Sequence, residues 1–296
     1  MERAKARRRR LALSALIGFA AAAFAFGAAL GDSPPSEPEP ELASTLPASL
    51  LAGERIVTGL GGTAVSADLQ RAIGAGRVAG VVLFDDNIPS RAAGRRLVAR
   101  LQSIRRPPKL RDPLLIMVDQ EGGLVKRVSG APTASAAAMG ARGGAFSREQ
   151  GRRTAANLRQ LGINVDLAPV LDVARPGGTI AATERGFGSS AQQVTATAVP
   201  FAAGLQAGGV AATAKHFPGL GAAAENTDFA VQRIGLPKAT LRTVDEAPFR
   251  DFADAGGDLV MLSTAIYPAL APTPPLSLAR SRPGSCAGAS ASRASL

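Results

Sequence analysis

The chain has 296 residues, 46% hydrophobic and 19% charged, enough to bury a core in one large domain or two smaller ones. A single cysteine, Cys286, excludes a disulfide framework and a cysteine-based zinc site. A single histidine, His216, excludes a multi-histidine metal site, and we expect neither a metal nor an organic cofactor. The net charge is +11, but aromatic residues make up only 4%, so we expect no nucleic-acid partner.

The first 31 residues are predicted to be a signal peptide or a membrane anchor. Met1–Arg10 holds six basic residues against Glu2, and Leu11–Leu30 then carries no charge. A helix of about 20 apolar residues crosses a bilayer, whereas the apolar part of a signal peptide has about 7–15 residues. The segment is therefore compatible with an uncleaved membrane anchor and with a signal peptide. The arginines keep the N-terminus in the cytoplasm. We therefore expect an exported domain, either extracellular or anchored on the outer side of the cytoplasmic membrane.

Residues 32–49 are rich in proline, serine and glutamate and are predicted to form a linker. A segment of this composition cannot form a packed core and is expected to stay extended. The segment would hold a folded domain, starting near Leu50, away from a membrane.

Apolar runs alternate with amphipathic segments from residue 55 onward. Each run is almost continuously hydrophobic, which is typical of parallel strands buried on both faces. This alternation predicts an α/β fold with a parallel sheet, either open or closed into a barrel. The helical segments are Ser90–Arg105, Ser147–Leu161 and Ala191–Ala207. The strand-like runs are Arg55–Leu60, Val78–Phe84, Leu114–Asp119, Asn164–Val173, Gly209–His216 and Leu259–Tyr267.

Polar residues at the carboxyl ends of three runs favour the barrel. Asp119, Asp172, Lys215 and His216 stand at these ends, which converge on one face of a (β/α)8 barrel. An open sheet binds its ligand at a switch point, usually with a glycine-rich phosphate loop. No G-x-G-x-x-G follows the first run and no G-x-x-x-x-G-K-[ST] occurs. We therefore predict a (β/α)8 barrel of the TIM type.

Four motifs in fixed order resemble glycoside hydrolase family 3, and most closely its bacterial β-N-acetylhexosaminidases. They are VDQEGG (Val118–Gly123), APVLDV (Ala168–Val173), ERGFG (Glu184–Gly188) and KHFPG (Lys215–Gly219). The resemblance implies that residues 50–281 form the family's N-terminal barrel domain. About six of its eight strands are expected in this chain, so the barrel is incomplete.

The resemblance also implies a retaining hydrolase that removes terminal β-linked N-acetylhexosamine from cell-wall or chitin-type saccharides. In such enzymes one carboxylate attacks the anomeric carbon and a second group protonates the leaving oxygen. Asp172 is expected to be structural or to contact the sugar, and Leu124 replaces an arginine that is frequent in the family. The residues expected to bind the sugar are Asp119, Arg127, Arg185, Lys215 and His216.

The loop after KHFPG departs from the family. Where the hexosaminidases carry Asp-x-His, with the histidine as acid/base, this chain has Asn226 and Asp228. A carboxyl group can do the same work if an apolar pocket or a neighbouring carboxylate raises its pKa. Asp228 is therefore the acid/base candidate, with sugar binding alone as the alternative.

The sequence after Tyr267 also departs from the family, which has there a helix and a strand ending in Ser-Asp-Asp. The aspartate of that strand is the nucleophile, so we expect this chain to lack it. Residues 282–296 are predicted to be an aberrant, disordered tail. We hypothesise that the C-terminus is truncated or frameshifted: codons chosen for Gly284–Leu296, when read two bases later, give LLRGRLGFPGVA, which resembles the family sequence leading into that strand.

Two other functions stay open. The chain could be a catalytically inactive sugar-binding protein of the cell surface, or a β-glucosidase of the same family. The partner expected in each case is a saccharide, with the membrane as a further partner if the N-terminal segment is uncleaved. An anionic cell wall accounts for the positive charge, and a monomer is expected.

Overall fold

Six parallel strands form one sheet whose spatial order follows the order of the chain. The computed structural model describes residues 46–270, so the predicted segment 1–31, residues 32–45 of the linker and the tail 282–296 lie outside it. The chain divides into two units, Met1–Leu51 and Ala52–Leu296, and the sheet belongs to the second. Within the described residues, no helix has the length and apolar character needed to cross a bilayer.

The sheet is curled into a half-barrel, as expected for an incomplete TIM-type barrel. Every neighbouring pair in the order β1-β2-β3-β6-β7-β8 is parallel. A separate antiparallel hairpin, β4–β5, follows β3. The strands are β1 Val57–Gly59, β2 Gly80–Val82, β3 Leu115–Val118, β4 Gln120–Gly122, β5 Val125–Lys126, β6 Val165–Asp166, β7 Ala211–Phe217 and β8 Leu259–Leu262.

Each predicted run overlaps a strand of the sheet, but two strands end well before their runs do. The run Asn164–Val173 pairs only at Val165–Asp166, with one isolated bridge from Val170 to Lys215. Pro169 has no N–H group to donate, which interrupts the ladder. The run Leu259–Tyr267 pairs with β7 only as far as Leu262, with one isolated bridge from Ile266 to Arg233. The segment after β6 and the segment after β8 therefore leave the sheet near the carboxyl ends of the neighbouring strands.

Helices connect the strands, and serine residues cap four of them. The side chains of Ser66, Ser90, Ser135 and Ser190 each accept a 3.2 Å hydrogen bond from an N–H group in the first turn. A single 3₁₀ turn covers Asp85–Asn87 and a π turn covers Leu241–Asp245. The helices are α1 Ala48–Gly53, α2 Ala67–Gly74, α3 Arg91–Gln102, α4 Ala136–Arg142, α5 Gly144–Arg159, α6 Thr179–Ala182, α7 Ala191–Ala207, α8 Lys238–Thr240 and α9 Ala247–Asp254.

The outer strand β8 carries exposed apolar side chains. Leu259, Val260 and Leu262 are 37%, 46% and 70% exposed, whereas the corresponding positions of β3 and β7 are mostly buried. Within residues 46–270, no strand pairs with the free edge of β8. The sequence predicts such an apolar edge for a barrel with six of its eight strands.

Helices α5 and α7 approach each other so closely that glycine is required between them. A Cβ atom on Gly151 would overlap the carbonyl oxygen of Phe201, and one on Gly204 would overlap that of Arg148. Both obstacles are backbone atoms, which cannot move aside as a flexible side chain can. Helix α7 packs on β7, so the separation of the two helices helps to position the strand that carries Lys215 and His216.

Substituting Gly151 by alanine tests this packing. Alanine stabilises a helix by up to about 1 kcal/mol relative to glycine, but overpacking costs about 1–3 kcal/mol and here meets backbone. We expect Gly151→Ala to lower the free energy of unfolding by about 1–2 kcal/mol in urea denaturation. Gly235→Ala is the control, since a Cβ there meets nothing within 4 Å. Equal stability of the two variants would contradict the close approach.

Candidate active site

All six candidate residues line one cleft, of about 410 Å³, at the carboxyl ends of the strands. Asp119 directly follows β3, and Lys215 and His216 lie near the end of β7. The others come from the β4–β5 hairpin and from loops. The structure thus brings together Asp119, Arg127, Arg185, Lys215, His216 and Asp228.

The ammonium group of Lys215 lies at the centre of the site. Its side chain is 2% exposed, and Nζ is 2.6 Å from Oδ1 of Asp119 and 2.7 Å from Oε1 of Glu121. Burial alone lowers the pKa of a lysine, but these two carboxylates outweigh it and raise the pKa of Lys215. Lys215 therefore stays charged, paired with protein carboxylates and not dependent on a sugar for its partners.

Glu121, which sequence reasoning missed, is the second acid of this cluster. Its carboxylate accepts two 2.8 Å hydrogen bonds from Nε and Nη2 of Arg185. Burial raises the pKa of Glu121, but Lys215 and Arg185 together lower it to about 2. The spacing of the two acids could have identified Glu121. Asp119 and Glu121 are two positions apart, and residues i and i+2 of an extended segment face the same side.

Arg127 approaches Asp119 from the other side. Its Nη1 is 2.9 Å from Oδ2 of Asp85, and its Nη2 is 3.8 Å from Oδ2 of Asp119. The carboxylate of Asp119 therefore lies between Lys215 and Arg127, with 17% of its side chain exposed. Asp119 is held firmly and still reaches the cleft.

His216 is held by Asp172, which is completely buried. Nδ1 of His216 lies 2.6 Å from Oδ2 of Asp172. Oδ1 of Asp172 accepts hydrogen bonds from the backbone N–H groups of His216 and Leu220, at 3.2 and 2.7 Å. Asp172 thus orients the ring of His216 and anchors the backbone at Leu220. Its contact favours the imidazole tautomer with hydrogen on Nδ1, leaving Nε2 as an acceptor.

Asp166, also missed, is a buried acid behind the cluster. Its Oδ1 accepts a 3.0 Å hydrogen bond from the N–H of Gln120, whereas Oδ2 is buried without a partner. Burial raises the pKa of Asp166 to about 8, and the nearby charges of Asp119 and Glu121 act in the same direction. The carboxyl group is therefore mostly neutral at pH 7. Nothing in the apolar run around Asp166 distinguishes it in the sequence.

The loop that carries Asp228 is more exposed to solvent than the acid/base hypothesis requires. Asp228 is exposed, and its Oδ2 accepts a 3.1 Å hydrogen bond from the Asn226 side chain. The Asp228 N–H donates in return to Oδ1 of Asn226, at 3.1 Å. Phe229, next in the chain, is 86% exposed. Residues 46–270 therefore do not enclose the Asp228 carboxylate.

No group of three or more histidine, cysteine, aspartate or glutamate side chains within residues 46–270 is arranged to hold a metal ion. The cluster instead balances its carboxylates with Lys215, Arg127 and Arg185. It offers charged hydrogen-bond donors and acceptors around an open cleft, which suits a neutral ligand rich in hydroxyl groups.

Known sequences resemble this chain over most of its length. A family model described as the glycosyl hydrolase family 3 N-terminal domain matches residues 51–282. An "uncharacterized secreted glycosyl hydrolase" of Arthroderma benhamiae is 36% identical over 77% of this chain and 66% of its own length. A beta-hexosaminidase of Xanthomonas campestris pv. campestris is 35% identical over 74% of this chain and 67% of its own length.

Solved structures match the same region. A glycoside hydrolase family 3 β-N-acetylglucosaminidase from Paenibacillus sp. str. FPU-7 matches with a TM-score of 0.70 and 33% identity, over 77% of this chain. NagZ from Neisseria gonorrhoeae matches with a TM-score of 0.66 and 25% identity, over 74% of this chain. This chain spans 44% of the Paenibacillus chain and 65% of the Neisseria chain.

Replacing Lys215 tests its role as the shared counter-ion. Lys215→Met leaves Asp119 and Glu121 side by side without their common cation, and breaking a buried ion pair costs about 3–5 kcal/mol. We expect a loss of that size in urea denaturation at pH 7. Lys126→Met, the same change at an exposed lysine, is the control, with an expected effect within about 0.5 kcal/mol. Equal effects of the two substitutions would contradict the assigned role.

Replacing Asp166 tests its neutral state. The pKa is about 8 in the folded chain and about 3.9 in an unfolded chain, so folding takes up a proton between these pH values. The stabilisation by this proton is complete below about pH 4 and is lost as the pH rises towards 8. Asp166→Asn keeps an acceptor for the Gln120 N–H but cannot ionise. Its free energy of unfolding, relative to the unsubstituted chain, should therefore rise from pH 4 to pH 8; a constant difference would refute this.

Proposed function

This chain belongs to glycosyl hydrolase family 3, and we propose that it binds the terminal β-linked N-acetylhexosamine of a saccharide in a retaining glycosidase site. The observation that carries the proposal is the cluster around Lys215. It joins Asp119 and Glu121, and through Glu121 also Arg185, at the floor of the cleft. A preformed set of charged donors and acceptors binds hydroxyl groups with little reorganisation.

We propose separate tasks for the residues that reach the cleft. The Asp119 carboxylate accepts hydrogen bonds from two adjacent sugar hydroxyls. Arg127 and Arg185 donate to sugar oxygens, and Lys215 holds the acids in position. His216, oriented by Asp172, offers Nε2 to a further hydroxyl. The distances and the burial of these groups support a binding role for Asp119, Arg127, Arg185 and His216 and a positioning role for Lys215.

Asp228 is the proposed acid/base that protonates the leaving oxygen. Two observations support this: the loop that follows KHFPG has two exposed carboxylates, Glu225 and Asp228, and of these two Asp228 lines the cleft and Glu225 does not. In the proposed mechanism a bound saccharide supplies the enclosure that Asp228 otherwise lacks. The alternative role, sugar binding alone, predicts that Asp228→Asn weakens binding and leaves the pH profile of any turnover unchanged.

The nucleophile is proposed to lie outside residues 46–270. Asp119 and Glu121 are committed to Lys215, Arg127 and Arg185, and ion pairs of this kind weaken a carboxylate as a nucleophile. Asp258 accepts a hydrogen bond from the N–H of Ala212 at the opposite end of β7. The described chain would then bind its sugar and turn it over slowly or not at all.

An N-acetylhexosamine is proposed in preference to glucose because the Xanthomonas and Paenibacillus relatives are named for activity on such sugars. Export is proposed because the Arthroderma relative is named as a secreted protein and because of the arginine-rich, apolar N-terminus. Cell fractionation with N-terminal sequencing distinguishes a cleaved signal peptide from an uncleaved anchor, and recovery in the cytoplasm would refute export.

Calorimetric titration with N-acetylglucosamine, together with p-nitrophenol release from its β-glycoside, tests the proposal. We expect measurable binding by the 296-residue chain and little or no release. Asp119→Asn should weaken binding about tenfold or more, since a charged hydrogen bond contributes about 1.5–3 kcal/mol.

Asp68→Asn is the matched control, since Asp68 is 89% exposed and its ion pair within residues 46–270 is with Arg71. Absence of sugar binding would refute the proposed site. Rapid p-nitrophenol release would contradict a nucleophile outside residues 46–270, since residues 271–296 contain no aspartate or glutamate. A preference for the glucoside would indicate the β-glucosidase alternative.

A further inference from the structure

Helix α3 and the segment after it carry many positive charges and no negative ones. Residues 91–111 contain eight arginine and lysine residues but neither aspartate nor glutamate. Three of them, Arg96, Arg100 and Arg105, are exposed and form no ion pair within residues 46–270. The charge of these three side chains is therefore not balanced by an acid of the described chain, in contrast to the charges of the cluster around Lys215.

Two grooves, each of about 460 Å³, meet at Arg100. Arg96 lines the first groove, Arg71 and Arg105 line the second, and Arg100 lines both; these four are the groove arginines. Nη2 of Arg100 donates a 2.9 Å hydrogen bond to Oε1 of Gln70, which joins α3 to α2 beside the grooves. Among the residues that the structure describes, no acidic side chain lines either groove.

The two grooves follow α3 from one face of the half-barrel towards the other. The first is lined by Thr63, Val65 and Pro89, from the loops that follow β1 and β2. These loops stand at the carboxyl ends of the strands, on the same face as the active-site cleft. The second is lined by Gly74 and Ser103, at the far ends of α2 and α3. Helix α3 has 12 residues and is about 18 Å long, so a ligand that fills both grooves is an extended chain.

We propose that the two grooves form one binding site for a linear phosphodiester polymer of an anionic cell wall. A guanidinium group matches two oxygens of a phosphate. Arg96 and Arg100 are four residues apart on one helix, about 6 Å along its axis, so each can contact a different phosphate. In such a polymer the charges lie in the main chain, where arginines of both walls reach them. Arg105 contributes from the α3 side and Arg71, which also pairs with the exposed Asp68, from α2.

Two other polyanions fit the grooves less well. Single-stranded nucleic acids bind largely by stacking on aromatic rings, and no aromatic side chain of residues 46–270 lines either groove. A membrane surface is bound by apolar side chains that insert between headgroups. Strongly exposed apolar side chains such as Leu124 and Phe229 lie outside both grooves. The grooves therefore favour a flexible, charged chain without bases or lipid tails.

The site lies on the outside of the half-barrel and leaves the active-site cleft free. A polymer bound there would hold the domain on the cell wall while a terminal sugar enters the cleft. The binding needs no residue of the cleft, so it does not depend on the proposed glycosidase function.

Titration of the 296-residue chain with poly(glycerol phosphate) at several salt concentrations tests the site. We expect binding that weakens as the salt concentration rises, because each contacted phosphate releases counter-ions. The double variant Arg96→Ala/Arg100→Ala should bind roughly tenfold more weakly. It should also reduce the slope of log affinity against log salt by about 1–2. Arg105→Ala, which leaves α3 unchanged, should weaken binding about threefold.

Arg95→Ala/Arg148→Ala is the matched control, because it removes the same charge at two exposed positions that line neither groove. Its affinity should stay within about twofold of that of the unsubstituted chain. An equal loss in the two double variants overturns the site, and so does full affinity in Arg105→Ala. Equal or tighter binding of polygalacturonate overturns the phosphodiester assignment. Tighter binding of oligodeoxythymidylate or of phosphatidylglycerol vesicles at the same salt concentration overturns the cell-wall polymer as the partner.

Discussion

One buried ammonium group, that of Lys215, determines how the rest of the site can be arranged. Taking a lysine side chain out of water is costly unless carboxylates surround it, and Asp119 and Glu121 both lie within 2.7 Å of Nζ. Those two acids in turn attract Arg127 and Arg185. The resulting alternation of charges spans segments that are far apart in the chain. The half-barrel fold is what brings these segments to one point.

Much of this arrangement could be predicted from the sequence, because the ends of the strands can be recognised from the pattern of apolar and polar residues. Continuous apolar runs indicated all six strands, and the polar residues after them indicated Asp119, Lys215 and His216. The positions of Arg127, Arg185 and Asp228 came from motif resemblance alone. Strand lengths were less predictable, since pairing ends where the backbone turns away, as at Pro169.

Residues whose role depends on three-dimensional neighbours were not predictable. Glu121 stands inside a recognised motif, but its pairing with Arg185 joins residues 64 positions apart. Asp166 looks like any polar residue in a strand, and only its burial beside other acids makes it neutral. For Asp228 the family resemblance predicts an acid/base role, whereas the structure shows an exposed side chain. The proposed role therefore requires that a bound saccharide encloses the Asp228 carboxyl group.

The two walls of the cleft differ in how they are held. On one wall Asp172 binds the ring and the amide of His216 as well as the amide of Leu220, so this wall is rigid before any ligand arrives. On the other wall, Asn226 and Asp228 hydrogen-bond to each other within one exposed turn. If a saccharide binds as we propose, the entropy lost on ordering the protein therefore falls mainly on this turn. Affinity can consequently be tuned by stiffening four residues there, without touching the charged floor.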